Sequence, residues 1–461
     1  MVRRSFSRQA YALAKSPSPT VNTRNDSPAP FLYQHGLILS SSPRVIRYPR
    51  VLVDARLSTS KPTENEVPQI ILKLSSILED VHQYRKILEC TGDNAQNLLD
   101  VFQSLLFSPG LESGFRRRLV VAVQKLSRKS NLYPTCFTLD GVQLIGDEPV
   151  AAGSFGDVYK GQLHARHVCL KVIRMYQTSK SEHIFKYFSR EAVLWGQLSH
   201  PNLLPFFGLF RFRSRMCLVS PWMDNGAIIY YLENNPNVDR LLLASDIATG
   251  VSYLHENNVI HGDLKGANIL VTNTGRACLA DFGLSAITDP EIMIWTSQSS
   301  GVSKGGSIRW QAPELLNIDD DFVPNSKESD VYALACVYYE IFTGNVPFVE
   351  VPRDTSVMLK VRAGTRPTRP VSSSPAWTTR GLTEVIWDLI QECWRENLAS
   401  RPNVEEVLSR LARVTPIDKR PTESVDLIPS ASFRNSLGSA LDVYNLADLE
   451  TLIYASHEKP D

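Results

Sequence analysis

The sequence predicts an α+β protein with a strand-rich half, a helical half and a small helical region before both. Short runs of β-branched and aromatic residues, separated by turns, occupy residues 142–173 and 203–220. From about Val238 onward the hydrophobic pattern is mainly helical. Strands that come first and helices that come later favour a body of two lobes.

The segment before the first strand divides into two parts of different character. Residues 1–62 are rich in Ser, Pro and Arg without a sustained hydrophobic period, so we expect a disordered tail there. Within residues 66–132, apolar residues recur at helical spacing in three stretches, which are Ile70–Leu88, Leu98–Leu106 and Phe115–Leu126. Three amphipathic helices predict a small bundle that binds a protein partner, or an extension that packs on the domain after it.

Two features of the later sequence concern the core and the C-terminus. The most apolar stretch, Val331–Phe342, contains Glu340 and is too short to cross a membrane, which needs about 20 residues, so it predicts a buried core helix. Residues 413–461 turn polar, and we expect them to be mostly disordered, with one helix over residues 441–453.

Composition excludes several classes of protein. The 461 residues carry 49 Lys and Arg against 48 Asp and Glu, and this balance is not that of a nucleic-acid-binding protein. No uncharged apolar run of about 18 residues is present, so no membrane span is expected. The seven Cys include no Cys-x-x-Cys pair, which argues against a zinc ribbon or a disulfide framework.

The same cysteines bear on location. Scattered thiols in odd number are typical of a reduced cytoplasmic protein. The basic residues Arg3, Arg4, Arg8 and Lys15 all precede the first acidic residue, Asp26. Such a basic N-terminus is also compatible with import into an organelle, which stays the alternative.

The first motif with chemical content is Ala151-Ala152-Gly153-Ser154-Phe155-Gly156-Asp157-Val158, which lies between two predicted strands. Glycines allow a backbone to approach phosphate oxygens closely, and exposed N–H groups can donate to those oxygens. Lys171 follows Gly156 by fifteen residues on the next predicted strand, where its ammonium can neutralise phosphate charge. Together they indicate a nucleotide-binding hairpin.

Three further motifs follow in order: His261-Gly262-Asp263-Leu264-Lys265-Gly266-Ala267-Asn268, Asp281-Phe282-Gly283 and Ala312-Pro313-Glu314. Asp263 can orient a hydroxyl and accept its proton. Asn268 can bind a metal ion, and Lys265 can counter the charge of a transferred group. One such motif alone is a solvated loop, but four in this order and spacing are not explained that way.

These motifs resemble the signature set of the protein kinases over residues 142–411. The chain is most similar to the tyrosine-kinase-like group of serine/threonine kinases, including its fungal members. The resemblance implies a kinase domain over residues 139–412 with the bilobal protein-kinase fold, which has a β-rich N-lobe and a helical C-lobe. It also implies ATP and Mg²⁺ as cofactors and proteins as substrates.

The resemblance assigns roles to individual residues. It implies four catalytic residues, which are Asp263 as the base, Lys265, Lys171 and Glu191. Mg²⁺ ligands would be Asn268 and Asp281. The residues implied to hold ATP are Ala151, Gly153, Ser154, Phe155, Gly156, Val158, Lys171, Pro221, Trp222 and Met223, with Ser220 as the gatekeeper before the hinge.

Further matches concern the acceptor and the support of the site. Lys265 resembles the serine/threonine class, as does Ser307, whose hydroxyl is expected to contact the catalytic aspartate. The resemblance also implies a salt bridge between Glu314 and Arg401, and it makes Asp330 a buried acid that braces the catalytic loop.

Two positions depart from the family pattern. Ala151 replaces the first glycine of the nucleotide loop, and Gly262 replaces the arginine that receives an activation-loop phosphate in many kinases. We therefore expect activity to depend little on phosphorylation between Asp281 and Glu314. The alternative function is a nucleotide-binding pseudokinase scaffold. The presence of every expected catalytic and metal-binding side chain argues against it.

Overall fold

A computed structural model gives the structure of the chain. It describes residues 66–108, 110–152, 156–173, 191–213, 215–281, 286–287, 308–316, 323–421 and 427–436. The disordered tail expected over residues 1–62 and the helix expected over residues 441–453 lie outside this part of the chain. No helix among the described residues is both long enough and apolar enough to cross a membrane.

Four helices precede the first strand, and we call them the helical layer. They are α1 (Glu66–Glu79), α2 (Val81–Glu89), α3 (Gly92–Phe107) and α4 (Ser113–Ser130). The prediction of three helices was wrong at Asp80, because its side chain accepts hydrogen bonds from the backbone N–H groups of His82 and Gln83 and starts a new helix. Hydrophobic periodicity continues across this cap, so spacing alone does not reveal the break.

An antiparallel sheet forms the N-lobe, as predicted. Its strands are β1 (Gln143–Leu144), β2 (Ala151–Ala152), β3 (Gly156–Leu163), β4 (Arg166–Ile173), β5 (Gly208–Phe212) and β6 (Arg215–Pro221). Their order is β1-β3-β4-β6-β5, with β2 paired to β3. Between β4 and β5 lies helix α5, which the structure describes over residues 191–196.

The C-lobe is helical, which confirms the two-lobed α+β fold. Its helices are α6 (Ile228–Asn234), α7 (Arg240–Glu256), α8 (Lys327–Thr343), α9 (Asp354–Arg362), α10 (Pro375–Thr378), α11 (Glu384–Cys393) and α12 (Val404–Ala412). Short strand pairs are formed by β7 (Val259–Ile260) with β10 (Ala286–Ile287), and by β8 (Ile269–Val271) with β9 (Ala277–Leu279). Residues 329–342 of α8 are all buried, as the apolar stretch predicted.

A single hydrophobic core joins the helical layer to the kinase-like body. One continuous cluster of buried side chains includes residues of α1–α4, of α5 and of α8. Nine of the sixteen residues of α3 are buried, because this helix packs against α4 and also against the rest of the protein. The layer is thus an extension packed on the domain after it, which was one of the two expected arrangements.

The structure describes a helix after residue 412 that the sequence did not predict. Helix α13 (Ser430–Ser436) packs on the N-lobe, where the rings of Phe433 and Phe207 stack with centroids 3.7 Å apart. Arg434 is buried beside it. Phe433 and Arg434 lie in a polar stretch without a hydrophobic period, so the sequence alone did not predict that they are buried against the N-lobe.

Candidate active site

Lys171 is the cation at the centre of the site. It lies on β4, where its backbone pairs with Val158 of β3 and with Leu218 of β6. This position in the middle of the sheet directs its ammonium toward two carboxylates. The Nζ atom is 3.6 Å from Oε1 of Glu191 on α5 and 2.6 Å from Oδ1 of Asp281.

Asp281 approaches Lys171 from the segment after β9. Its backbone has φ of 66°, a left-handed conformation that Asp tolerates better than most residues. Burial alone would raise the pKa of this carboxyl. The adjacent Lys171 ammonium and its hydrogen bond outweigh that effect and hold the pKa below its usual value. Asp281 is therefore a carboxylate at neutral pH.

Asp263 is held by two neighbours on its own loop, residues 261–268. Lys265 Nζ lies 2.6 Å from Oδ2 of Asp263, and Nδ2 of Asn268 donates to the same oxygen at 2.9 Å. Asn268 also donates to the backbone carbonyl of Asp263 at 2.8 Å. A short 3₁₀ turn over Gly266–Asn268 makes these contacts across two and five residues. The carboxylate is thus fixed in one orientation.

Asp330 on α8 anchors the loop over residues 261–268, as the resemblance implied. Its carboxylate, 1% exposed, accepts hydrogen bonds from the backbone N–H groups of His261 and Gly262 at 2.8 and 2.9 Å. His255 Nε2 lies 3.0 Å from the same side chain. Gly262 has φ of 78°, where a residue with a Cβ atom would be strained. The glycine that departs from the family pattern therefore suits the backbone of this loop.

Glu340 is a second support of the loop, which sequence analysis treated only as part of a core helix. Its Oε2 atom accepts from the backbone N–H of Gly266 at 2.8 Å and from Nε1 of Trp310 at 2.7 Å. Burial raises the pKa of Glu340 to about 7, against the opposing effect of these donors. A glutamate within an otherwise apolar stretch was the available signal, since a buried carboxyl needs donors.

The expected hinge begins at the last residue of β6, Pro221. Pro221 pairs with Val168 of β4, and the backbone N–H of Trp222 donates to the carbonyl of His167 at 3.2 Å. Met223 is buried. The segment after the sheet is thus tied to the same strand that carries Lys171.

The strands of the nucleotide-binding hairpin, β2 and β3, lie beside β4, which carries Lys171. Ala151 on β2 pairs with Val158 on β3, and Gly156 begins β3 opposite Ile173. Val158 therefore connects Ala151 on one side with Lys171 on the other. Four residues with an expected role lie outside the described part of the chain, namely Gly153, Ser154, Phe155 and Ser307, and so do Phe282 and Gly283 of the Asp281 motif.

A buried salt bridge joins Glu314 of the Ala-Pro-Glu segment to Arg401 of the C-lobe. Arg401 donates through both terminal nitrogens to the two carboxylate oxygens of Glu314, each at 2.8 Å. The guanidinium is fully buried, and it also donates to the carbonyl of Glu328 at the start of α8. This bidentate geometry confirms the predicted pair and ties the Ala-Pro-Glu segment to the C-lobe.

A scan against protein families matches residues 144–411 to the family described as protein tyrosine and serine/threonine kinase. The chain belongs to the protein kinases. The matched residues are more than half of the sequence, and they include the whole set around Lys171, Asp263 and Asp281. ATP is therefore the phosphate donor that the family implies.

Curated relatives are similar over the kinase domain. Serine/threonine-protein kinase STY17 of Arabidopsis thaliana is 28% identical over 277 residues, which cover 59% of this chain and 45% of the relative. Serine/threonine/tyrosine-protein kinase HT1 of the same plant is 28% identical over 314 residues, or 66% of this chain and 74% of the relative. The chain spans less than half the length of the first of these.

Proposed function

We propose that the chain is an ATP-dependent protein serine/threonine kinase. The observation that carries this proposal is the double attachment of one carboxylate. Lys265 and Asn268 both contact Oδ2 of Asp263 at 2.6 and 2.9 Å. A carboxylate held this way is positioned to receive the proton of an acceptor hydroxyl.

The reaction would transfer one phosphoryl group. The acceptor oxygen attacks the γ-phosphorus of ATP, the bond from that phosphorus to the bridging oxygen breaks, and ADP leaves with the electron pair. Asp263 orients the acceptor and takes its proton, while Lys265 offsets the charge on the transferred group. Lys171, held by Glu191, would contact the α- and β-phosphates. Positioning and charge account for most of the rate, because no covalent intermediate on the protein is needed.

The donor atoms at two positions fit a magnesium ion. Asn268 turns its Nδ2 toward Asp263, so its other amide atom is an oxygen, and Asp281 is a carboxylate. Mg²⁺ prefers such oxygen ligands. The backbone N–H of Ala280 donates to the carbonyl of Asn268 at 2.9 Å. Asp281 follows Ala280 directly, so Asn268 and Asp281 lie on adjoining backbone segments. When bound there, Mg²⁺ would neutralise phosphate charge.

The acceptor class follows from the loop around Asp263. Lys265, two residues after the base, is the feature that resembles serine/threonine kinases, and its ammonium contacts Asp263 directly. Tyrosine kinases usually carry Ala or Arg there. We therefore assign serine and threonine hydroxyls of proteins as the acceptors.

A phosphotransfer assay tests this function. The purified full-length chain is incubated with labelled ATP, Mg²⁺ and generic protein substrates, and the products undergo phospho-amino-acid analysis. We expect phosphoserine and phosphothreonine, with the signal absent for Asp263→Asn. Phosphotyrosine alone would overturn the acceptor assignment. ATP binding without any transfer would favour the pseudokinase scaffold instead.

The location that we propose is the cytoplasm, with organelle import through the basic N-terminus as the alternative. All seven cysteines lie among the described residues, where none of them forms a disulfide, and six of them are buried. Thiols that form no disulfide fit a reducing compartment. A fluorescent fusion at the C-terminus, imaged with organelle markers, distinguishes the two locations.

A further inference from the structure

The part of helix α5 that the structure describes is buried on every side, although a helix packed on one sheet normally leaves one face in water. Residues 191–198 are all buried, and apart from Glu191 and Gln197 they are apolar or glycine. A helix that is apolar all round must be enclosed on all sides. Part of this cover is the helical layer, whose side chains belong to the same core cluster.

A pair of buried amides joins the helical layer to the end of this helix. Nε2 of Gln197 donates to Oε1 of Gln103 at 2.5 Å, and Nε2 of Gln103 donates back to Oε1 of Gln197 at 3.4 Å. Gln103 lies on α3, 94 residues away in the sequence, and is 0% exposed. Each amide therefore satisfies the other where no water reaches Gln103.

A second contact reaches the same end of α5 through the segment after α4. Oδ1 of Asp100 on α3 accepts from the backbone N–H of Thr135 at 2.6 Å, which holds the turn that carries Phe137. The Phe137 ring packs directly on Gly196, where an added Cβ would lie 2.7 Å from Cζ of that ring. The layer thus contacts Gln197, directly after α5, through Gln103, and it supports Gly196 of α5 through the turn that carries Phe137.

The other end of the described helix carries the ion pair with Lys171. Glu191 precedes Gly196 by five residues, or about 7.5 Å along the helix axis. Its Oε1 atom is 3.6 Å from Nζ of Lys171, so a displacement of about 1 Å would separate the pair. Misplacement on this scale, even by a change remote from the chemistry, can reduce a rate by about a hundredfold.

We propose that Gln103 and Gln197 are positioning residues for phosphoryl transfer. Through this amide pair, the helical layer holds α5 so that Glu191 stays within reach of Lys171. The chain then supplies its own clamp on α5 from the helices that precede the kinase domain. This inference rests on the proposed kinase function, and the layer itself touches neither ATP nor the acceptor.

The test is a cycle of variants in the full-length chain. Gln103→Leu and Gln197→Leu each leave one buried amide without its partner. We expect each to lower kcat/KM by about 5- to 100-fold, at a temperature where melting curves show the chain folded. The double variant replaces both amides by apolar groups of similar size and should recover most of the activity. Gln83→Leu, in α2 of the same layer, is the matched control and should stay within about twofold of wild type.

Repeating Gln103→Leu in a Glu191→Gln background separates positioning from general support. If the amide pair acts through Glu191, adding Gln103→Leu to Glu191→Gln should alter the rate by less than about twofold. The proposal would be overturned if Gln103→Leu lowered the rate in that background as much as it does in wild type. Single variants within twofold of wild type would also overturn it.

If the wild-type chain transfers no phosphate, the proposed function fails, and the same cycle is read by the ATP-induced shift in melting temperature. Loss of that shift in the single variants, with recovery in the double variant, would still support the clamp. An unchanged shift would refute it.

Discussion

Glu340 accepts a hydrogen bond from the backbone N–H of Gly266 at 2.8 Å, so a carboxyl buried in α8 lies directly under the loop that carries Asp263. Trp310 donates to the same oxygen, Oε2. The N–H groups of Gly266 and Trp310 both donate to this one oxygen, and the side-chain amide oxygen of a glutamine could accept the same two hydrogen bonds. Glu340→Gln therefore removes the ionisable group and keeps its hydrogen bonds.

We predict that Glu340→Gln flattens part of the dependence of stability on pH. Burial raises the pKa of Glu340 from 4.5 to about 7, so the folded state holds a proton that the unfolded state releases earlier. This group's contribution to stability is complete below about pH 4.5 and is lost as the pH rises to about 7. The full effect is on the order of 3 kcal/mol.

Thermal unfolding of wild type and Glu340→Gln at pH 5 and pH 8 measures this difference. The variant should gain stability relative to wild type at pH 8. A gap that is equal at both pH values would show that Glu340 is ionised throughout.

Asp263→Asn should abolish turnover and leave ATP binding nearly unchanged. The carboxylate faces Lys265 and Asn268 and would orient the acceptor, whereas Lys171 serves the nucleotide. Loss of a general base lowers kcat by about 10²- to 10⁴-fold. Steady-state kinetics and ATP titration measure the two effects, with Asp388→Asn on the exposed face of α11 as the control. Retention of most of the activity would contradict the role of Asp263.

Lys171→Met should reduce phosphotransfer at saturating ATP by at least about a hundredfold. The change removes the cation that lies 3.6 Å from Glu191 and 2.6 Å from Asp281. The buried carboxylate of Glu191 and the partly exposed carboxylate of Asp281 are then left without that cation. Lys360→Met, at an exposed position of α9, is the matched control. Equal rates for Lys171→Met and wild type would refute the assigned contact.

Gly196→Ala should destabilise the fold by about 1–3 kcal/mol. The new Cβ would lie 2.7 Å from Cζ of Phe137, a ring that is 0% exposed and cannot move aside easily. Gly114→Ala in α4 is the control, because its Cβ would meet only the side-chain carboxylate of Glu112, at 3.0 Å, and no buried ring. Chemical denaturation measures both variants. Equal stability of Gly196→Ala and wild type would place Phe137 elsewhere.

Phosphatase treatment should leave most of the activity in place. The loop residue that could receive an activation-segment phosphate is Gly262, which has no side chain and whose N–H is bonded to Asp330 at 2.9 Å. Changing four hydroxyl residues outside the described part of the chain to Ala should alter the rate only a few-fold; these are Thr296, Ser297, Ser299 and Ser300.

Initial rates before and after phosphatase treatment provide the measurement, with inhibited phosphatase as the control. A loss of activity of about a hundredfold or more, restored by autophosphorylation, would contradict this prediction. It would show that another basic residue binds the activation-loop phosphate in place of the arginine that Gly262 replaces.

Local spacing explains why much of the site was predictable. Asp263, Lys265 and Asn268 lie within six residues, so one short turn brings their side chains together whatever the rest of the chain does. Hydrophobic periodicity likewise predicted the strands around Lys171 and the buried helix α8. The break at Asp80 escaped this reasoning because an N-cap leaves the apolar spacing intact.

By itself the sequence determined the kinase family and the chemical set, since phosphoryl transfer needs particular donors and acceptors at set intervals. The resemblance implied some distant pairs, such as Glu314 with Arg401, and only the tertiary structure decided which other distant segments meet. The pair of Lys171 and Asp281 spans 110 residues, and the pair of Gln103 and Gln197 spans 94. A glutamine looks the same in sequence whether it is solvated or buried against another amide. Its partner is selected when the surfaces of α3 and α5 pack, and that depends on the shape of the whole core.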